Sequence, residues 1–272
     1  MENIRQAVER ARGSAADSES SARTLKQSPK IFAAPSNMID GQANETELND
    51  AHLQSNRIVA HHSADVCAKP YDMLRTQVLR SMDLKGWKIL AVTSPTPECG
   101  KTLTSINLAL SIARQPDRSV LLVDMDLQRP RIAKALGISC SEGILGVLEA
   151  RIGLMDAITQ ARIGNHRFTV LPGGAPTSGS SELMTSRAMS AMMQQIKMDY
   201  QSRIVILDLP PILSGDEVIS ILPQVDCVLL VAAVGTSTVS QIEECNKHLQ
   251  SADVVRLVLN KVPKTDVQYH HY

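Results

Sequence analysis

The residues best suited to chemistry in this chain form the loop Ser94–Thr102, which reads SPTPECGKT. The loop lies between an apolar run, Ile89–Val92, and an amphipathic run, Leu103–Ala113. A strand, a tight loop and a Gly-Lys-Thr that opens a helix can hold a nucleoside triphosphate. Backbone N–H groups surround the phosphates, the lysine neutralises them and the threonine hydroxyl ligates magnesium. The usual pattern, G-x-x-x-x-G-K-[ST], requires glycine where this chain has Pro95, so the loop alone is an imperfect match.

Two later apolar runs end in aspartates. Ser119–Val123 precedes Asp124 and Asp126, and Ile204–Leu207 precedes Asp208. Four or five consecutive apolar residues cannot alternate between faces, so both runs predict buried parallel strands. The carboxyl ends of such strands form the ligand-binding edge of an open α/β sheet, where carboxylates can hold magnesium. A single aspartate there is more often a cap, but the upstream Gly-Lys-Thr favours metal ligands.

Composition argues against several classes of protein. The 28 basic and 28 acidic side chains cancel, and no basic stripe with interleaved aromatics indicates nucleic-acid binding. The longest apolar run, Cys227–Val234, is far shorter than the roughly 20 residues of a membrane span and predicts a core strand. The N-terminus lacks the apolar core of a signal peptide, and five cysteines without a C-x-x-C pair indicate reduced cytosolic thiols.

The chain divides into three parts by composition. Residues 1–65 contain apolar positions between 4 and 11 that predict one short helix, ended by Gly13 and followed by a polar tract that predicts a disordered linker. Residues 66–262 predict one α/β domain, and residues 263–272 predict a flexible tail.

The domain alternates between helical and strand patterns. Strands are predicted at 89–93, 119–124, 167–172, 203–208, 227–234 and 254–260. Helices are predicted at 71–79, 101–114, 131–136, 143–149, 154–161, 182–198, 216–221 and 238–250. This alternation predicts an α/β fold, a mostly parallel central sheet with helices on both faces. The Gly-Lys-Thr loop identifies it as the fold of a P-loop NTPase.

Taken together, the motifs resemble the bacterial tyrosine kinases (BY-kinases), which are P-loop autokinases of capsule and exopolysaccharide synthesis. The resemblance covers about residues 69–262 and rests on Ser-x-x-Pro before Gly-Lys-Thr, Asp-x-Asp followed by Arg129-Pro130, and Asp-x-Pro-Pro. Three further stretches look like family motifs: Leu171–Gly174, Ser181–Met184 and Val258–Asn260.

The resemblance implies a role for each matching residue. Gly100, Lys101 and Thr102 correspond to the Walker A loop, and Asp208 corresponds to the Walker B aspartate. Asp124 and Asp126 correspond to a second acidic motif, Walker A′, which serves magnesium binding and activation of the attacking tyrosine hydroxyl. In phosphoryl transfer the protein mainly positions groups and stabilises charge, so a lysine, a metal and an aspartate near the acceptor form a sufficient set.

The resemblance therefore implies four sets of site residues, with ATP and Mg²⁺ as cofactors. The implied catalytic residues are Lys101, Asp124 and Asp126. The implied magnesium ligands are Thr102, Asp124 and Asp208. The implied ATP contacts are Pro97, Glu98, Cys99, Gly100, Lys101, Thr102, Leu103 and Asn260. The candidate phosphoacceptors are Tyr269 and Tyr272, half of the chain's four tyrosines.

Four positions depart from the family pattern. Glu98 stands where the family commonly has glycine; if that position needs φ > 0, a non-glycine costs about 1–3 kcal/mol. Gln128 replaces a usual arginine. The family helix Glu-x-x-Arg-x-x-Arg, which contacts a neighbouring subunit, aligns with Lys69, Asp72 and Arg75, where Lys69 and Asp72 could pair on the surface. A homo-oligomer is therefore left open.

Three functions follow from these residues. The first is a cytosolic, ATP-dependent tyrosine autokinase that regulates polysaccharide polymerisation and export. A membrane-embedded polysaccharide co-polymerase would activate it and recruit it to the inner face of the membrane. The second is a partition or septum-site ATPase, but Thr96 replaces that group's signature lysine and no basic amphipathic C-terminal helix is evident. The third is a non-catalytic regulator that binds nucleotide weakly or not at all. Glu98, Gln128 and the altered helix at 69–75 favour it, and the intact lysine, threonine and aspartates of the motifs oppose it.

Overall fold

Eight strands and ten α-helices make up the part of the chain that the structure describes, residues 44–199 and 203–263 of a computed structural model. The strands are β1 (Asn44–Glu47), β2 (Ile89–Thr93), β3 (Val120–Asp124), β4 (Thr159–Ile163), β5 (His166–Leu171), β6 (Ile204–Asp208), β7 (Cys227–Ala233) and β8 (Asp253–Asn260). The helices are α1 (Asp50–Ser55), α2 (Lys69–Lys85), α3 (Lys101–Ala113), α4 (Ile132–Leu136), α5 (Gly143–Leu148), α6 (Leu154–Ala157), α7 (Ser180–Met184), α8 (Arg187–Asp199), α9 (Glu217–Ile221) and α10 (Val239–His248). In this part of the chain, no helix combines the length and the apolar character needed to span a membrane.

All eight strands belong to one sheet, in the order β1-β4-β5-β3-β6-β2-β7-β8. Neighbouring strands run parallel except β4 and β5, which run antiparallel. Strands β2, β3, β6 and β7 are buried along their whole length, as apolar runs covered on both faces require. The predicted mostly parallel sheet is confirmed.

Alternate residues of the central strands pack on opposite faces of the sheet, since the side-chain period of a strand is two. On β2, Ile89 and Ala91 join the core that contains Met189, Met192 and Met193 of α8. Leu90 and Val92 join the other core, which α2 and α3 complete. Helices therefore cover both faces, as the sequence predicts.

One predicted helix is partly a strand. The helix expected over 154–161 ends at Ala157, and the next residues form β4. This strand pairs antiparallel with β5 across a turn in which Gly164 has φ +55°. The local pattern misleads here because cross-strand pairing is a tertiary interaction, and it outweighs a weak helical periodicity.

Another predicted helix is interrupted. The single helix expected over 182–198 is two helices, α7 and α8, separated by Thr185 and Ser186. The Thr185 hydroxyl donates to the carbonyl of Ser181 (3.1 Å), and the Ser186 hydroxyl accepts from the N–H of Met189 (3.1 Å). Short hydroxyl side chains that bond to nearby backbone compete with a continuous helix, so they end one and begin the next.

The predicted linker over 1–65 is wrong for residues 44–65, which belong to the folded domain. Strand β1 extends the sheet by pairing with β4, and Leu53 and Ile58 are fully buried. A few well-spaced apolar residues suffice there because the existing sheet and α3 supply the surface that they cover. The helix predicted at 4–11 and the tail tyrosines Tyr269 and Tyr272 lie outside the described residues.

A buried amide holds this N-terminal segment against α3. The Asn107 Oδ1 accepts from the N–H groups of Val59 (2.9 Å) and Ala60 (3.0 Å), and its Nδ2 donates to the carbonyl of Arg57 (3.3 Å). Asn107 is fully buried. One side chain thus satisfies three backbone groups in a stretch that has no regular secondary structure of its own.

Asp72 joins α2 to α3 rather than pairing with Lys69 on the surface. Its carboxylate accepts from the guanidinium groups of Arg75 (3.1 Å) and Arg114 (2.9 Å) and from the Ser111 hydroxyl. The Asp72 side chain is only 25% exposed. Two arginines and a hydroxyl around one half-buried carboxylate make a charge-assisted hydrogen-bond network inside the domain. This aspartate therefore stabilises the packing of α2 against α3.

Replacing Asn107 with alanine should destabilise the domain by about 1–3 kcal/mol, because two buried N–H groups lose their acceptor. Urea denaturation measures the loss, and hydrogen exchange should show faster exchange at Val59 and Ala60. Asn246→Ala provides the control, since Asn246 is an exposed residue of α10. Equal effects of the two substitutions would contradict the role assigned to Asn107.

Candidate active site

The predicted phosphate-binding loop connects β2 to α3, whose first residue is Lys101. Gly100 precedes the helix with φ +94°, in the left-handed region. A Cβ at Gly100 would lie 2.1 Å from Nδ2 of Asn260, and that nitrogen donates to the carbonyl of Cys99 (2.9 Å). Only glycine fits at position 100, and Asn260 supports the loop from the end of β8. The contact of Asn260 with a nucleotide base stays a prediction.

Glu98 adopts the conformation that glycine would favour. Its φ is +66°, which meets the condition under which the sequence predicts strain. A left-handed conformation costs an L-residue with a Cβ about 1–2 kcal/mol. The side chain is exposed at the rim of the adjoining cavity, so it does not fill the loop. The backbone at position 98 therefore adopts the left-handed conformation despite the unfavourable residue.

Lys101 is buried among carboxylates. Its Nζ donates to Oδ2 of Asp126 (2.8 Å) and lies 3.9 Å from Oδ2 of Asp208. Burial alone would lower the pKa of the ammonium, but the charges of Asp208 and Asp126 outweigh it and raise that pKa above its ordinary value. The lysine is therefore a fixed positive charge at the start of α3.

Asp124 is a fully buried carboxyl that is only half satisfied. Its Oδ2 accepts from the N–H groups of Arg131 and Ile132 (both 2.9 Å). Among the described residues its Oδ1 has no hydrogen-bond partner. Burial, followed by the charge of Asp208, raises the pKa of Asp124 to about 8. A carboxyl in this setting gains stability from a nearby cation.

Asp208 completes the acidic pair, because β3 and β6 place it directly opposite Asp124 in the strand register. Its Oδ1 accepts from the Ser105 hydroxyl (3.1 Å), while its Oδ2 has no hydrogen-bond partner in the described part of the chain. Burial raises the pKa of Asp208, opposed first by the charge of Lys101 and also by the nearby hydroxyl of Thr102. Two orphaned carboxylate oxygens and a threonine hydroxyl are hard oxygen donors of the kind that Mg²⁺ prefers.

A cavity of ≈ 470 Å³ opens beside the loop, a volume within the range of about 300–1,000 Å³ typical of small-molecule sites. Six of the eight residues predicted to contact ATP line it: Pro97, Glu98, Gly100, Lys101, Thr102 and Leu103. The other two do not, because Asn260 bonds to the loop backbone and Cys99 is fully buried, with its Sγ 3.4 Å from the hydroxyl of Ser237. Asp126 also lines the cavity, so the predicted lysine and one predicted aspartate share it.

Sequence reasoning did not identify several residues that line the cavity. Arg131 and Lys261 bring positive charge that suits phosphates, and Asn56 reaches it from the N-terminal segment. Arg131 and Lys261 closely follow motif residues in the sequence, so their nearness to the site could have been predicted. The position of Asn56 could not have been predicted in this way, because it depends on how residues 44–65 pack.

Gln128, which departs from the family pattern, makes a specific contact. Its Nε2 donates to Oε1 of Glu217 (2.7 Å), which also accepts from the hydroxyl of Ser180 (2.9 Å). Glu217 is only 4% exposed and lines the same cavity. The neutral amide thus satisfies a buried carboxylate at the wall of the site without adding charge.

The AAA domain family matches residues 87–255, more than half of the chain. The putative tyrosine-protein kinase EpsB of Ralstonia solanacearum is 30% identical over 198 residues, which cover 72% of this chain and 26% of EpsB. The chain therefore spans about a quarter of the length of the curated relatives that it matches.

Solved structures that are similar to this chain include a tyrosine-kinase domain and a septum-site protein. The kinase domain of the Escherichia coli tyrosine kinase ETK superposes with a TM-score of 0.70 at 28% identity, covering 79% of this chain and 84% of that domain. The septum site-determining protein MinD of Pyrococcus horikoshii, complexed with Mg-ADP, shares the fold, with a TM-score of 0.56 at 21% identity over 66% of this chain and 72% of MinD. The P-loop NTPase fold is confirmed. This chain belongs to the AAA domain family, and, as its motifs predicted, its relatives in sequence and structure include bacterial tyrosine kinases.

Proposed function

We propose that this chain is an ATP-dependent protein-tyrosine autokinase that regulates the polymerisation and export of exopolysaccharide or capsule. The observation that carries the proposal is the convergence of Lys101, Asp124, Asp126 and Asp208 at one edge of the sheet, with Lys101 and Asp126 facing an open cavity. Such a set can bind a triphosphate, hold a metal ion and accept a proton from a hydroxyl. These are the parts that phosphoryl transfer requires.

Thr102, Asp124 and Asp208 are the residues that would hold magnesium. The fit rests on the two unpartnered carboxylate oxygens of Asp124 and Asp208 within the described structure. When bound, the ion would neutralise charge on the phosphates. MinD, which shares this fold, was solved in complex with Mg-ADP, so the fold is compatible with a bound magnesium nucleotide.

Lys101 and Asp126 would act on the transferred group and its acceptor. The Lys101 ammonium and the Asp126 carboxylate lie 2.8 Å apart and neutralise each other. A triphosphate would compete for the lysine because its charge exceeds that of one carboxylate. Asp126 would then be free to accept the proton of an attacking tyrosine hydroxyl. The salt bridge is thus a resting arrangement of two catalytic groups.

The substrates and partners follow from the family rather than from local geometry. Tyr269 and Tyr272 remain the proposed phosphoacceptors. We expect a membrane-embedded polysaccharide co-polymerase to activate the chain and to recruit it to the inner face of the membrane. A homo-oligomer built on α2 would have to use residues other than Asp72, whose carboxylate binds Arg75 and Arg114.

A non-catalytic regulator is the second candidate, and Glu98 is the observation that favours it. The residue combines a left-handed backbone with a carboxylate at the rim of the cavity. A partition-type ATPase is less well supported, because MinD superposes less closely than the ETK kinase domain does, at TM-scores of 0.56 and 0.70.

Lys101→Met should lower the rate of phosphotyrosine formation by about 10²–10³-fold, the cost of removing one preorganised charge-stabilising group. The purified chain is incubated with Mg-ATP, with and without a membrane activator fragment, and phosphotyrosine is mapped by mass spectrometry. Lys247→Met is the matched control, since the Lys247 side chain is 67% exposed on α10. Phosphate release without phosphotyrosine would instead support a partition-type ATPase.

Glu98→Gly should tighten Mg-ATP binding by up to about tenfold, or about 1.4 kcal/mol, because it removes a carboxylate from the rim of the phosphate site. Calorimetric titration measures the dissociation constant. Glu98→Gln separates the effect of the charge from that of the left-handed backbone, since it removes the charge but keeps a side chain at φ +66°. Unchanged affinity in both variants would show that Glu98 does not limit nucleotide binding.

The stability of the nucleotide-free chain should fall as the pH rises from about 4 to 8. The pKa of Asp124 is raised from 3.8 to about 8, so the folded chain keeps a proton that the unfolded chain releases across this interval. Asp124→Asn should flatten this slope, as measured by urea denaturation at several pH values. The exposed Asp117 supplies the control variant, Asp117→Asn. The same slope in Asp124→Asn and wild type would refute the assignment.

A further inference from the structure

A second cluster of potential ligand atoms lies in the N-terminal segment, among Asp50, His61 and His62. Nε2 of His61 and Nε2 of His62 lie 2.6 Å and 2.8 Å from the same atom, Oδ1 of Asp50. One ligand atom from each of the three residues falls within 4.8 Å of the others. Three donors from two places in the chain thus converge on one point.

The fold holds these donors in place. Asp50 begins α1, which is anchored by the buried Leu53, and the histidines follow the buried Ile58. On the residue before His61, the N–H of Ala60 donates to Asn107 (3.0 Å), and its carbonyl accepts from Arg114 (3.2 Å). The backbone on both sides of the cluster is therefore fixed by contacts that do not involve the cluster itself.

Hydrogen bonding between these three residues satisfies only one of the two ring nitrogens of the buried His61. Its side chain is only 3% exposed, and its Nδ1 has no hydrogen-bond partner in the described part of the chain. His62 competes for the same carboxylate oxygen, while the other oxygen of Asp50 accepts from Gln54 (2.9 Å). At Nε2, where the three residues converge, a metal ion would replace one carboxylate oxygen shared by two imidazoles with a separate coordination bond to each residue.

We propose that Asp50, His61 and His62 bind a divalent transition-metal ion of the Zn²⁺ type. Two imidazole nitrogens and one carboxylate are ligands that suit zinc better than magnesium, which prefers oxygen. Tetrahedral coordination at about 2.0–2.2 Å places ligand atoms roughly 3.3 Å apart. The observed Nε2–Oδ1 distances of 2.6 and 2.8 Å require only a small opening of the cluster. Three protein ligands leave a fourth position for water.

The ion would join the two ends of the segment from Asp50 to His62. Between them lies α1, followed by Asn56, which lines the cavity beside the phosphate-binding loop. A metal clip closes this loop of the chain and lowers the entropy of its opened states. The site is separate from the Asp124 and Asp208 pair, so it does not depend on kinase activity.

Zinc binding by the full-length chain tests the proposal, with ZnCl₂ titrated in competition with a chromogenic chelator. We expect one Zn²⁺ per chain and a rise in Tm on binding. Asp50→Asn and His62→Gln should each weaken binding by at least about tenfold and abolish the Tm shift. His61→Gln should do the same if the variant folds, and the other two variants decide the outcome because their side chains are about half exposed.

Two control variants test whether histidines outside the cluster bind the zinc ion. His248→Gln alters an α10 histidine outside the cluster, and the double variant His270→Ala, His271→Ala removes the pair near the C-terminus. Both controls should keep wild-type affinity and the Tm shift. Wild-type affinity in Asp50→Asn and His62→Gln would overturn the proposal, as would a loss of binding confined to the double variant or equal competition by Mg²⁺.

Discussion

The pairing of β3 with β6 places two carboxyls, Asp124 and Asp208, side by side in the interior of the sheet edge. Each keeps one oxygen without a hydrogen-bond partner among the described residues. Buried negative charge is unfavourable unless a cation compensates it. The pair therefore needs positive charge nearby, and Lys101 supplies part of it. The affinity for a metal ion proposed for the site and the raised pKa of Asp124 therefore have the same physical origin.

The loop Ser94–Thr102, next to this pair, takes its shape from a contact with β8 as well as from its own glycine. Asn260 packs so closely against Gly100 that no Cβ fits, and its amide donates to the loop backbone. Glu98 then adopts a left-handed conformation that its residue type disfavours. Strain of this kind persists only where the surrounding structure over-determines the backbone, which is common at binding sites. The departure at Glu98 thus changes the charge at the rim while the loop keeps its form.

Prediction from sequence succeeded where burial on both faces leaves a simple pattern. Strands β2, β3, β6 and β7 are continuous apolar runs, and the aspartates that end β3 and β6 could be assigned to one edge of the sheet. It failed for β4, whose pairing with β5 is not local, and for the segment that carries β1 and Leu53. That segment is too polar to fold alone and is ordered by the surfaces that it covers.

The sequence by itself determined the α/β class, the phosphate-binding loop and the identity of Lys101, Asp124, Asp126 and Asp208, because these signals lie within single strands and turns. Only the tertiary structure decided that Lys101 binds Asp126, that Asp72 faces inward, and that Asn56 reaches the cavity. It also brought Asp50 beside His61 and His62. The physical reason is that these contacts join residues from different elements, and their distances depend on how helices and strands pack together.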